Sequence, residues 1–102
     1  MKKFITITAA LLIGGATLEA HADADTCQAI ERIATAVMEA RQNGVPMSQL
    51  MGVADDNSVM QDMVIEAYNH PAYRTRDVKN RTIRNFADRQ YRLCFEVFRA
   101  AE

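Results

Sequence analysis

The chain has little of what enzymes commonly use for catalysis. It contains no tryptophan, two cysteines and two histidines in 102 residues, and one of the histidines, His21, falls in the N-terminal segment. The remaining His70 cannot build the usual zinc cluster alone. Asp55, Asp56 and Asn57 lack the ligand spacing of a calcium loop, and no glycine-rich phosphate loop occurs. We therefore expect no cofactor and no metal, and a protein that acts by binding rather than as an enzyme.

Residues that interrupt helices are also scarce, with four glycines and two prolines. No segment alternates apolar and polar residues for long enough to predict a strand, and the apolar spacing is helical throughout. A first helix should begin at Asp25 or Thr26 and end near Gly44, where a left-handed residue is favoured. Pro46 suits the opening turn of a second, short helix.

Two further helices are predicted in the second half of the chain. Ser58 with Gln61 forms a capping-box pattern for the third helix, and Pro71 ends it. The fourth helix should run from about Thr75 to Ala100. Its apolar face is predicted to comprise the following residues: Ile83, Phe86, Ala87, Gln90, Cys94 and Val97, widened by Tyr91, Phe95 and Phe98.

The N-terminus has the three-part pattern of a secretory signal peptide. Two lysines precede a mostly apolar run from Phe4 to Leu18, and the small-residue sequence Ala20-His21-Ala22 follows that run. The apolar run is shorter than the roughly 20 residues that span a bilayer, so a permanent anchor is the less favoured alternative. We predict a signal peptide at 1–22, a single helical domain at 23–102, a periplasmic or secreted location and no transmembrane span after cleavage.

The two cysteines, Cys27 and Cys94, lie near opposite ends of the mature chain. Export places them in an oxidising compartment, where one disulfide bond is the simplest interpretation. A reactive thiol pair is the alternative, although redox enzymes of that type use a Cys-X-X-Cys motif. A disulfide would set the first and last helices side by side and antiparallel. The predicted fold class is thus all-α, a compact disulfide-closed bundle of about four helices.

Charge is unevenly distributed along the mature chain. From Asp23 to Glu66 there are eight acidic and two basic residues, whereas from Ala67 to Glu102 there are four acidic and eight basic. Mutual attraction of the two halves on folding is the structural interpretation. The functional one is a basic surface for an anionic lipid or an acidic protein patch, comprising Arg74, Arg76, Lys79, Arg81 and Arg84. Export makes nucleic acid an unsuitable partner.

Five methionines occupy apolar positions of the first three predicted helices, namely Met38, Met47, Met51, Met60 and Met63. Flexible thioethers fill irregular gaps between short helices, so core packing is the favoured interpretation. An adaptable groove for a partner helix and a copper(I) site are the alternatives.

The sequence also resembles a group of small exported proteins of bacteria and their phages, most of them without assigned function. The resemblance covers nearly the whole mature chain and is carried by these residues: Cys27, the segment "MEARQNG" from Met38 to Gly44, Met51, Ala67, Tyr68, Pro71, Tyr73, Phe86 and Cys94. It implies a helical fold closed by one disulfide but no particular activity. A weaker similarity, at "TCQAI", links the chain to acid-stress periplasmic chaperones.

Two functional hypotheses follow. The first is a binding module that acts on an envelope or periplasmic protein, as phage exclusion factors, immunity proteins and inhibitors do. The second is a periplasmic stress chaperone. The predicted partner-binding residues are Arg41, Gln42, Tyr73, Arg74 and Arg76. Changing Arg41 or Gln42 is expected to abolish binding while leaving thermal stability unchanged.

Overall fold

The computed structural model describes residues 24–101, which form four helices and no strand. Helix α1 covers 24–42, α2 covers Met47–Ala54, α3 covers Ser58–Tyr68 and α4 covers Arg76–Ala101. The all-α prediction is therefore confirmed, as are four helices closed by a disulfide. The predicted signal peptide, residues 1–22, lies outside the described residues.

The corner between α1 and α2 is closed by Gly44, as predicted. Gly44 has a positive φ of 82°, a conformation that costs a side-chain-bearing residue energy. Its amide donates to the carbonyl of Arg41, and the amide of Val45 donates to the carbonyl of Ala40. These two bonds form a Schellman motif, which satisfies carbonyls that the end of α1 would leave unpaired. Pro46 then occupies the cap position immediately before α2.

The start of α3 differs from the predicted capping box. Asn57, rather than Ser58, is the cap: its side-chain oxygen accepts a hydrogen bond of 3.1 Å from the amide of Met60. Gln61 reaches back to the carbonyl of Asp55 instead of the cap amide. Asparagine caps a helix at least as well as serine, and here it comes one residue earlier in the chain.

The core lies where α1, α3 and α4 meet. Its buried members are Ala34, Val37, Met38, Met63, Val64, Ala67, Phe86 and Ala87. Met47, Met51 and Met60 are half-buried and pack against this cluster. All five methionines therefore contribute to the core, which is the interpretation favoured from the sequence.

Helices α1 and α4 form an antiparallel pair that is fastened at both ends. Near the start of α1, Cys27 is bonded to Cys94 in the second half of α4, with 5.6 Å between their Cα atoms. At the end of α1, the carbonyl of Gln42 accepts a hydrogen bond of 2.6 Å from Nζ of Lys79, in the first turn of α4. The predicted disulfide and the predicted helix arrangement are thus both present.

The last turns of α4 are more exposed than predicted. Val97 lies on the core side of the helix but is 68% exposed, and Phe95 is 49% exposed. Helix α4 continues for about two turns past Cys94, whereas the described part of α1 extends less than one turn before Cys27. Val97 lines an open apolar groove together with Thr26 of α1 and Val59 of α3, so that its side chain is not covered. Phe95 faces away from the core and stacks on Tyr91, with ring centroids 6.5 Å apart.

Candidate functional site: a cationic groove between α1 and α4

One end of the groove lies where the end of α1, the 71–73 loop and the start of α4 meet. Gln42 holds this junction together, and we call it the Gln42 corner. This residue is only 3% exposed. Its Nε2 donates to the carbonyl of Pro71 at 2.9 Å, and its Oε1 accepts from the amide of Tyr73 at 2.8 Å. Together with the bond from Lys79, these contacts join the end of α1 to the 71–73 loop and to the start of α4. Gln42 therefore fixes the backbone immediately before Arg74.

Arg41 braces the same corner from the side of α3. Its Nε donates to the carbonyl of His70 at 2.8 Å, and its guanidinium lies 5.0 Å from the ring centre of Tyr68. The hydroxyl of Tyr68 donates to the carbonyl of Val45 in the α1–α2 corner. Burial raises the pKa of Tyr68, and the positive charge of Arg41 only partly offsets that rise. The phenol thus remains a hydrogen-bond donor at neutral pH.

On the open side of the α1–α4 pair lies a groove of about 760 Å³. Its cationic lining residues, Arg74, Arg76, Lys79 and Arg84, all come from α4 or the loop before it. The α1 side contributes one carboxylate, Glu39. The uncharged lining residues are Thr35, Gln42, Asn43, Asn80 and Ile83. We call this surface the cationic groove, because four cations face one carboxylate.

The arginines of the cationic groove are not neutralised internally. Within the described part of the chain, one ion pair is present, between Glu66 and Arg89 on another face. Arg74, Arg76 and Arg84 are exposed and take part in no ion pair there. Lys79 is half-buried and directs its ammonium group to the carbonyl of Gln42. Three guanidinium groups are therefore available to bind an anionic group from outside.

The structure brings together three of the five residues predicted to bind a partner. Gln42, Arg74 and Arg76 line the cationic groove, whereas Arg41 lies at the Tyr68 side of the corner. Tyr73 lines a separate pocket of about 280 Å³ together with His70 and other residues. A partner-binding role for each of the five stays a prediction. The expectation that changing Gln42 would leave stability unaltered conflicts with its burial and its hydrogen bonds.

The sequence also predicts Arg81 to belong to one basic surface with its neighbours. Arg81 is exposed on α4 but does not line the groove. Residues 76, 80 and 84 share a helix face at intervals of four, and position 81 falls on another face. The same spacing relates Thr35 and Glu39 on α1 to Asn43, the residue directly after that helix. The spacing of polar residues, like that of apolar ones, thus contains the signal for the additional polar lining residues Thr35, Glu39, Asn43 and Asn80.

A second, apolar groove of about 320 Å³ lies near the disulfide. Its lining comprises Thr26, Ile30, Val59, Met63, Gln90, Leu93, Cys94, Val97 and Phe98. One edge is held by Glu66 of α3, whose Oε1 accepts from Nε of Arg89 at 2.6 Å and whose Oε2 accepts from Nε2 of Gln90 at 2.7 Å. These bonds join α3 to α4 beside the apolar surface.

Neither groove contains a recognisable catalytic set. His70, the histidine of the described chain, packs its ring edge-on against Phe86 at 5.9 Å, away from the cationic groove. Both cysteines are in the disulfide. Between residues 24 and 101, no three of the side chains that commonly bind metals lie close enough to hold an ion. Over the same residues, no helix has both the length and the apolar character to cross a bilayer.

Comparisons with protein-family models, with curated proteins and with solved structures find no match to the chain. The class of protein is therefore defined by its fold and its grooves alone. That class is a small helical domain, closed by a disulfide between its first and last helices, with a cationic groove along that helix pair.

Proposed function

We propose that the protein is an exported, non-enzymatic binding module that acts on an envelope or periplasmic protein. The observation that carries this proposal is the cationic groove, in which Arg74, Arg76 and Arg84 are exposed and unpaired. A surface of this kind attracts an acidic partner and orients it during encounter. Exclusion, immunity and inhibitor proteins act by such stoichiometric binding.

The scaffold beneath the groove also favours a binding role. The α1–α4 pair is fastened by the disulfide at one end and by Gln42 and Lys79 at the other. A surface that is already ordered loses little conformational entropy when a partner binds. An extracytoplasmic location agrees with the disulfide, because such bonds persist in oxidising compartments, and with the signal-peptide pattern at residues 1–22.

The proposal predicts a defined partner in periplasmic extract. The oxidised protein, tagged at its C-terminus, would be incubated with extract, cross-linked and recovered. We expect one protein to be enriched in stoichiometric amount, and its recovery to fall for the variant Arg74→Gln/Arg76→Gln. Arg81→Gln/Arg92→Gln is the matched control, because it removes the same charge from α4 outside the groove. Recovery of no stoichiometric partner in repeated experiments would contradict the proposal.

A stress chaperone is the second candidate, favoured by the apolar groove and the hydrogen bonds beside it. Gln90 lines that groove and is held by Glu66, so protonation of Glu66 would weaken the α3–α4 contact at the groove edge. Acid would then expose the buried Met63 beside the already exposed Leu93, which would enlarge the apolar surface available to unfolding clients. The test is light scattering of an acid-sensitive client near pH 3, with and without the protein. Unaltered client aggregation would exclude this candidate.

A further inference from the structure

We infer that the cationic groove binds an extended acidic peptide segment, with two carboxylate side chains of that segment paired to Arg76 and Arg84. This inference rests on the proposed binding function and specifies the chemistry of the partner. Three observations support it: the guanidinium groups take part in no ion pair within the described chain, they are separated along α4 by a defined distance, and polar residues lie between them.

Carboxylates suit these side chains because a guanidinium presents parallel N–H donors that match both oxygens of a carboxylate. Arg76 and Arg84 are eight positions apart on one helix, which corresponds to about 12 Å at a rise of roughly 1.5 Å per residue. An extended peptide advances about 3.3 Å per residue, and its alternate side chains point the same way. Acidic residues at positions i and i+4 of such a peptide therefore match the two arginines.

The groove also offers partners for the rest of a peptide. Asn80 lies between the two arginines on α4, and Asn43 and Thr35 line the opposite wall. The two asparagine amides can donate to backbone carbonyls and accept from backbone amides, and the Thr35 hydroxyl, which donates to the Glu31 carbonyl, can still accept. Glu39, an acceptor only, suits a peptide N–H group or a basic side chain. A mixed lining of this kind fits a polypeptide, which carries donors and acceptors along its whole length.

A phosphate polymer and an anionic lipid surface fit the cationic groove less well than an acidic peptide does. A densely charged phosphate polymer would place negative charge against Glu39, which is exposed in the α1 wall. A lipid surface is usually bound by basic residues together with apolar side chains that insert into it. The exposed large apolar side chains of the described chain are Ile33, Val53, Val59, Ile65, Leu93, Phe95 and Val97, and none of them lines the cationic groove.

The groove is also set in place before any partner arrives. Gln42 accepts from Lys79 through its carbonyl and from Tyr73 through its side chain, which fixes the residues on both sides of Arg74 and Arg76. Only the arginine side chains have to become ordered on binding. On the protein side, the entropic cost of binding is therefore confined to a few arginine rotamers.

The test is fluorescence anisotropy with labelled glycine–serine peptides and the oxidised, full mature protein at low salt. One peptide carries glutamate at i and i+4, a second carries adjacent glutamates, and a third carries glutamine at i and i+4. We expect the first to bind most tightly, and Arg76→Gln/Arg84→Gln to weaken it about tenfold, since each exposed charge pair contributes a few-fold. Arg81→Gln/Arg92→Gln should bind as the unaltered protein does.

A second measurement needs no variant and removes any dependence on folding of the substituted chains. In NMR spectra of the arginine Nε–H groups, titration with the i, i+4 peptide should shift Arg76 and Arg84 and leave Arg81 and Arg99 in place. Equal affinity for the glutamine peptide, or shifts outside the groove, would overturn the inference. So would binding of phosphatidylglycerol vesicles or inorganic phosphate in preference to the peptide.

The two proposals fail in different ways. If a stoichiometric partner is recovered equally well by Arg76→Gln/Arg84→Gln and by the control Arg81→Gln/Arg92→Gln, the binding function stands and the acidic-peptide inference is wrong. If no partner is recovered, the binding function itself fails, whatever the peptides do.

Discussion

Gln42 and Lys79 are joined by a hydrogen bond of 2.6 Å from the lysine ammonium group to the glutamine carbonyl, at the end of the helix pair opposite the disulfide. The buried side chain of Gln42 makes two further bonds, to the Pro71 carbonyl and the Tyr73 amide. One residue at the end of α1 thus determines where the 71–73 loop and the first turn of α4 lie. The cationic groove depends on this arrangement.

Gln42→Ala should therefore destabilise the protein. It would leave the Tyr73 amide and the Pro71 carbonyl without their partner, and we expect a loss of about 2 kcal/mol in the free energy of unfolding. Urea denaturation of the oxidised protein measures this loss. Gln28→Ala is the control, because Gln28 is exposed on the same helix. If the two variants had equal stability, Gln42 would not be the residue that holds the corner.

The helices could be read from the sequence because their boundaries depend on local signals. Gly44 and Pro71 end helices through their own backbone restrictions, and apolar residues at helical spacing identify the buried faces. The exposure of Val97 could not be read in this way. It results from the groove that stays open between α4 and its neighbouring helices at this level, and periodicity within α4 contains no information about how closely those helices approach.

Gly44 and Gly52 offer a matched pair for the effect of backbone conformation. Gly44 has a φ of 82°, whereas Gly52 lies within α2, and an added Cβ would meet no atom within 4 Å at either position. Gly44→Ala should destabilise by about 1 kcal/mol, because alanine is strained at positive φ. Gly52→Ala should stabilise by about 0.5–1 kcal/mol, because alanine favours helix.

Thermal unfolding followed by circular dichroism at 222 nm would measure both glycine variants. Opposite shifts of Tm are the expected result. Neither substitution adds a steric contact. A decrease in Tm for Gly52→Ala would therefore mean that backbone φ does not determine how alanine changes stability at these two positions.

The disulfide should contribute a large part of the stability of so small a domain. Closing a loop of 67 positions is worth about 4 kcal/mol in the chain-entropy model. Cys27→Ser/Cys94→Ser should lower the free energy of unfolding by an amount of this order, and reduction of the unaltered protein should have the same effect. Urea denaturation with and without dithiothreitol provides the comparison. The double variant itself should not respond to dithiothreitol, and a response would point to an effect unrelated to this bond.

The cationic groove was only partly predictable from sequence. The run of basic residues from Arg74 to Arg84 is visible in the chain, but the choice among them requires the helix phase, which places Arg84 in the groove and Arg81 outside it. The role of Gln42 was less accessible still. A glutamine at a helix end looks like a surface residue, and its burial results from a loop about thirty positions later in the chain folding over it.

The contact of Glu66 with Arg89 and Gln90 should make stability depend on pH in the acid range. Burial raises the pKa of Glu66, but the hydrogen bonds from Arg89 and Gln90, with the charges of Arg89 and His70, lower it by more, so that it lies below the ordinary value of 4.5. A carboxyl whose pKa is lower in the folded state stabilises that state when ionised. This stabilisation is complete well above pH 4.5 and is lost as the pH falls through the lowered pKa of the folded state.

Glu66→Gln should therefore reduce stability at pH 7 and weaken its decline as the pH falls below the ordinary carboxyl pKa of 4.5. Urea denaturation of the oxidised protein across this fall in pH would measure both effects. Asp62→Asn is the control, because Asp62 is an exposed acid on the same helix and takes part in no ion pair within the described chain. If Glu66→Gln kept the full acid dependence while Asp62→Asn reduced it, the charge that couples α3 to α4 in acid would not be that of Glu66. A further outcome is that Glu66→Gln removes the acid dependence of stability while the unaltered protein fails to protect the client in acid. In that case the α3–α4 contact would only stabilise the fold, and the chaperone candidate would lose its structural basis.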